Sequence, residues 1–93
     1  MSLTLQLRTH DNLLELLAAG ESPAWVIAIE RVSRIGQVHI INFNGTQRIE
    51  AAFDSAASTW RSDRRLIVRF HTGRLVNCKV EFHGRNPVEY PDE

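Results

Sequence analysis

The chain has 93 residues, with eleven basic and eleven acidic side chains and no formal net charge. That length makes one domain with one modest core, and the charge balance argues against a strongly electrostatic partner for the molecule as a whole. No apolar run approaches the roughly 20 residues that cross a bilayer, and the N-terminus lacks the basic start and apolar core of a secretory signal. A single cysteine excludes an internal disulfide framework. Together these features point to a cytoplasmic protein with no membrane partner. The ends, Met1-Ser2-Leu3 and Glu93, are given no functional weight.

In chain order, the first predicted element is a helix. Thr9 is the expected N-cap, Asp11 suits the positive first turn, and Leu13, Leu14, Leu16 and Leu17 form a stripe at helical spacing. Gly20 supplies the stop. About three turns are marginal alone, so the helix must lie on a sheet. Residues 24–33 read as a long strand leading into the loop Arg34-Ile35-Gly36. That loop sets Val32 opposite Val38 and Ile29 opposite Ile41. One face of the hairpin then carries Trp25, Ile27, Ile29, Ile41 and Phe43. The other carries Val26, Ala28, Val32, Val38 and Ile40.

A second loop, Phe43-Asn44-Gly45, is expected to bring Ile49, Ala51 and Phe53 onto the Trp25 face. Asn44-Gly45-Thr46 has the form of a glycosylation sequon but is better explained as a turn. Residues 54–61 read either as a strand continuing towards a turn at Ser62-Asp63-Arg64, the reading favoured, or as two turns of helix with Asp54 as its cap. A third loop, His71-Thr72-Gly73, pairs Val68 with Val76 and Leu66 with Cys78, because register follows the apolar pattern. Leu66, Val68, Phe70, Val76, Cys78, Val80 and Phe82 then share a core face. Asn86-Pro87 breaks the pattern. The organisation expected is a single α+β domain over residues 1–86 and a C-terminal tail or linker stub over 87–93. The fold class is α+β: one N-terminal helix, then a five- or six-stranded antiparallel meander, as a curved sheet or partly open barrel. This layout resembles that of Sm-like RNA-binding barrels and one-helix cystatin-like sheets. It lacks the Sm-type acidic-then-asparagine signature and the matching late glycine motif, and layout alone implies no function.

A hairpin apolar on both faces, with one helix to cover it, needs either closure into a barrel or a partner. The leading expectation is therefore a small non-catalytic interaction module, a homodimer or higher homo-oligomer, with Val26, Ala28, Val32, Val38 and Ile40 as its contact face. The alternative is a nucleic-acid-binding domain. Residues 61–85 carry seven basic side chains against Asp63 and Glu81, and Arg61, Arg64, Arg65, Arg69, Arg74 and Lys79 would follow a phosphate backbone. Single-strand binders add exposed aromatics, for which Trp60 is the main candidate.

Catalytic signals are sparse. His39 could meet Arg31 across the first hairpin and Glu50 on the next strand, a conceivable general-base cluster. His71 and His83, at opposite ends of the last hairpin, would lie on the order of 30 Å apart and could not share a metal. His10 reads as a solvated residue at the start of the helix. No zinc-type spacing, nucleophile elbow, P-loop or dinucleotide fingerprint is present, so no metal or cofactor is assigned. Cys78, between Val76 and Val80 on the core face, would be an inert buried thiol.

Overall fold

Leu3, Leu5, Leu7 and Thr9 alternate with Thr4, Gln6 and Arg8. In a computed structural model, which describes residues 2–82 and 84–93, this alternation forms a strand, β1 (Leu3–Thr9), with every odd position buried. The helix therefore follows a strand rather than opening the fold. It is α1 (Leu13–Ala19), and its N-cap is Asn12, whose side chain accepts from the Glu15 amide at 3.2 Å. Thr9 is buried and accepts from the Asp11 amide instead. Gly20 closes the helix at φ 70°. Leu13 and Leu16 are buried, Leu17 packs against the core, and Leu14 is exposed.

The expected strand over 24–33 is not formed. A short strand, β2 (Glu21–Trp25), pairs antiparallel with β6 (Leu66–Asn77), and a bulge between Ser22 and Trp25 puts Ala24 in the left-handed region at φ 70°. The chain then makes a single helical turn, α2 (Ile29–Val32), and enters β3 (Ile35–Asn42). Ile35 is thus the first residue of a strand and not a loop residue. The physical reason is competition for the edge of β3. β1 takes that edge in parallel over seven paired positions, and its strict alternation buries a full row of side chains, which Val26-Ile27-Ala28-Ile29 cannot match.

The hairpin from β3 to β4 (Gln47–Phe53) is present, with Gly45 at φ 74°. Its register differs by one from the expected pairing. The Asn42 carboxamide oxygen accepts from the Thr46 and Gln47 amides at 2.8 and 3.2 Å, and Ile41 pairs with Arg48. Ile49, Ala51 and Phe53 therefore share the face of Val38 and Ile40, not that of Ile41, because a one-residue slip exchanges faces. Residues 54–58 make an Asp54-capped turn rather than a strand. The Ala57 amide donates to the Asp54 carboxylate at 3.1 Å, and β5 (Thr59–Trp60) follows with two residues only. Beyond it the chain turns back at Ser62-Asp63-Arg64, with Arg64 at φ 65°.

No hairpin forms at His71-Thr72-Gly73. β6 runs straight through, and Thr72 at φ 55° marks a bulge opposite β4, where His71 pairs with Ala52 and Arg74 with Glu50. Gly73 serves helix packing rather than a turn, since a Cβ there would lie 2.9 Å from Leu17 Cδ1. The bulge exchanges faces, so Leu75 follows Leu66, Val68 and Phe70 inward, opposite Ile49. Val76, Cys78, Val80 and Phe82 are only half-buried. Residues 78–80 return along the β3–β4 turn, where the Cys78 and Val80 amides donate to Thr46 and Gly45 carbonyls, each at 2.9 Å.

The final segment, expected as a tail, joins the sheet. β7 (Val88–Glu89) pairs with β1 and places Val88 in the core. The Asp92 carboxylate accepts from the Thr4 amide at 2.9 Å, and Glu93 forms an ion pair with Arg31. The sheet has seven strands in the order β2-β6-β4-β3-β1-β7, with β5 also on β6 and β1–β3 as its parallel pair. It curls into a half-barrel around Leu5, Leu7, Val38, Ile40, Leu66 and Val68. The fold is α+β and mostly antiparallel, and no helix among the described residues is long and apolar enough to cross a membrane.

Candidate interaction site

The five residues expected on a contact face are dispersed. Val38 and Ile40 lie inside the half-barrel at 0% exposure, Ala28 and Val32 are half-buried, and Val26 alone faces solvent at 65%. The cause is the loss of the first hairpin: without it Val32 and Val38 are not cross-strand partners, and Val26 does not share their face. An apolar contact through Val38 and Ile40 would require the domain to open.

The arginine set is also divided. Arg69 donates to the Ala57 carbonyl at 2.5 Å and lies 3.6 Å from Glu21. Arg74 meets Glu50 at 3.0 Å, Arg61 meets Asp63 at 3.4 Å, and Arg65 reaches the Ala24 carbonyl at 3.3 Å. Four of the six are thus engaged within the fold. Arg64 and Lys79 have no ion-pair partner among the described residues.

His39 and Glu50 are brought opposite each other on the outer face of the sheet, but Arg31 is not with them. It is held by Glu93 and lies 4.7 Å over the Tyr90 ring. Burial, assisted by the charge of Arg48, pushes the His39 pKa below 6.5, and Glu50 and Asp92 oppose this. The Arg48 hydrogen bonds pull the Glu50 carboxyl below its ordinary range, against the effect of burial and with help from Arg74. A carboxylate clamped by two guanidinium groups is a structural anion, not a base poised near neutral pH. His71 is exposed in the middle of β6, and His83 lies outside the described residues. No group of three metal-ligating side chains occurs among the described residues. Cys78 is half-buried beside the Gly45 carbonyl, and burial raises its thiol pKa.

The exposed apolar residues gather elsewhere. Ile29 at 72% and Trp60 at 41% exposure flank a cleft of 450 Å³ between α2 and β5, floored by buried Ile27 and rimmed by Arg61 and Arg64. Val26, exposed just before Ile27 in the chain, lines a different cavity, with Trp25 and Arg65. Alternation does not distinguish Ile29 from Ile27. Only the helical turn, which the sequence pattern does not announce, sends one outward and the other inward. Trp60 is where the pattern placed it, at the surface. The chain matches no family model, no curated protein and no solved structure.

Proposed function

We propose that the domain is a non-catalytic interaction module that self-associates through the cleft between α2 and β5. The observation that carries this is the exposure of Ile29 and Trp60 around one opening in a small domain. Apolar patches of this kind mark contact surfaces. The occupant is a second copy because the patch is self-complementary in charge. Glu30, next to Ile29, and Arg64, on the opposite rim, both lack ion-pair partners among the described residues. A two-fold arrangement about the cleft would offer each Glu30 an Arg64 of the other copy as its partner.

The magnitude is modest. Ile29 is 72% and Trp60 41% exposed, so burying two copies of each gains on the order of 3–7 kcal/mol, at about 1.5–3 kcal/mol per fully exposed side chain. Association costs roughly 4–15 kcal/mol, so the dimer is weak and depends on concentration. Light scattering after size exclusion, with concentration raised about a hundredfold, should show monomers giving way to dimers. Ile29→Glu should remain monomeric with an unchanged circular dichroism spectrum, because its side chain already faces water. A wild-type monomer throughout, or a dimer indifferent to Ile29→Glu, overturns the proposal.

A further inference from the structure

We infer a second, independent binding site in the seam where the half-barrel fails to close, with a chemistry that fits single-stranded nucleic acid. The strand order leaves β2 and β7 as the two ends of the sheet. Between them run two adjoining cavities of 390 and 350 Å³, which share Ala24, Trp25 and Pro87 as lining residues. A seam between two strand edges would ordinarily invite an added peptide strand. Here Pro23 has no amide to donate, Ala24 sits in a left-handed bulge, and the Val88 amide is taken by the Asn86 side chain at 3.0 Å, so an added strand finds few free main-chain groups. The groove must recognise its occupant through side chains.

Those side chains are flat rings and arginines. His10 stacks on Phe43 with centroids 3.9 Å apart and planes at 21°. The Arg8 guanidinium lies 3.9 Å from the Phe43 centroid and 3.9 Å from that of Phe82. Arg8 is fixed in this position by two hydrogen bonds to the Phe43 carbonyl, at 3.0 and 3.2 Å. The result is a braced ladder of rings and guanidinium whose exposed terminal ring, His10, lines the groove. Trp25, which also lines the groove, is half-buried, packs one side on the core and is held by its indole N–H, which donates to buried Ser22 at 2.8 Å. Two pre-ordered rings can thus take unstacked bases with little further loss of side-chain freedom. Arg8 and Arg65 supply positive charge along the groove, against Asp11 as the acidic residue lining it. Arg65 is exposed and donates one bond inward, to Ala24, which leaves its remaining N–H groups for phosphate.

The test is fluorescence anisotropy of labelled oligothymidylate and oligouridylate at low salt, with a duplex of equal length for comparison. Single strands should bind more tightly than duplex, and binding should weaken steeply with added salt. His10→Ala and Arg65→Ala should each reduce affinity by about tenfold. Arg64→Ala, on the self-association cleft, should leave affinity unchanged, which separates this site from that one. Circular dichroism checks that each variant keeps its fold. No binding at low salt, equal affinity for duplex, or sensitivity to Arg64→Ala but not to His10→Ala and Arg65→Ala would each overturn the inference.

Discussion

Gly45 is the position where one methyl group should cost most. It sits at φ 74°, and an added Cβ would overlap the Val80 carbonyl oxygen and lie 3.3 Å from Phe82 Cε2. The left-handed conformation alone costs an L-residue roughly 1–2 kcal/mol. The overlap involves backbone, which cannot rotate away as a side chain could, so the returning segment must lift. Lifting breaks the Val80-to-Gly45 and Cys78-to-Thr46 hydrogen bonds, worth about 0.5–1.5 kcal/mol each. The sum for Gly45→Ala is roughly 2–5 kcal/mol, a large share of the 5–15 kcal/mol available to an ordinary domain. Urea unfolding followed by circular dichroism measures it, with Gly84→Ala as the control, since a Cβ there meets nothing within 4 Å. Faster amide exchange at Val80 and Cys78 should accompany the loss. If Gly45→Ala is as stable as Gly84→Ala and the two amides stay protected, the packing of residues 78–82 on the turn is misassigned.

Two further outcomes follow from burial. Val38→Glu places a carboxylate at a position with 0% exposure, so the protein should fail to fold or should accumulate as insoluble material; a folded, soluble Val38→Glu protein would refute the core assignment. His39 is held neutral in the folded state by a pKa lowered beneath 6.5, whereas the unfolded chain takes up the proton near its ordinary value. Its contribution to stability is therefore full above pH 6.5 and is lost as pH falls from there through the lowered native value. His39→Gln should flatten the stability profile in that window, measured by urea unfolding at a series of pH values. The lowered carboxyls of Glu50, Asp92 and Glu93 act in a separate, more acidic range.

The parts of the fold legible in the sequence were those with a local cause. Gly20 ends the helix, Gly45 makes the tight turn between β3 and β4, Ser62-Asp63-Arg64 turns the chain from β5 into β6, and Leu66, Val68 and Phe70 face the core as their alternation requires. The misplaced parts depend on partners distant in sequence. Thr72-Gly73 has the composition of a turn, but it is a bulge because β4 offers a continuous ladder on either side and Leu17 needs the room of a missing Cβ. Residues 24–33 lose their place because β1 competes for β3, and a parallel pairing of the N-terminal segment has no local signature. The candidate site was unreadable for the same reason. Ile29 becomes a surface residue through α2, and the stacking of Arg8 between Phe43 and Phe82 joins three segments far apart in the chain.

Both proposed surfaces originate in the way β6 divides its pairing. Its first half is bound by β2 and β5, and its second by β4. The bulge at Pro23–Ala24 releases the chain after Trp25, so Val26 emerges into solvent and the path to β3 passes through α2. β5 then stops after two residues, which leaves the mouth between it and α2 unfilled. A closed barrel would have continued β2 through residues 26–29 and sealed the mouth and the seam together. Leaving Val26 and Ile29 65% and 72% exposed forgoes about 1–2 kcal/mol of burial for each. The chain is able to turn an isoleucine inward at this point, because Ile27, between them, is 5% exposed. A small domain with little stability to spare keeps such exposure where it meets something, which is why contact is proposed at the open end of the half-barrel rather than on its sheet face.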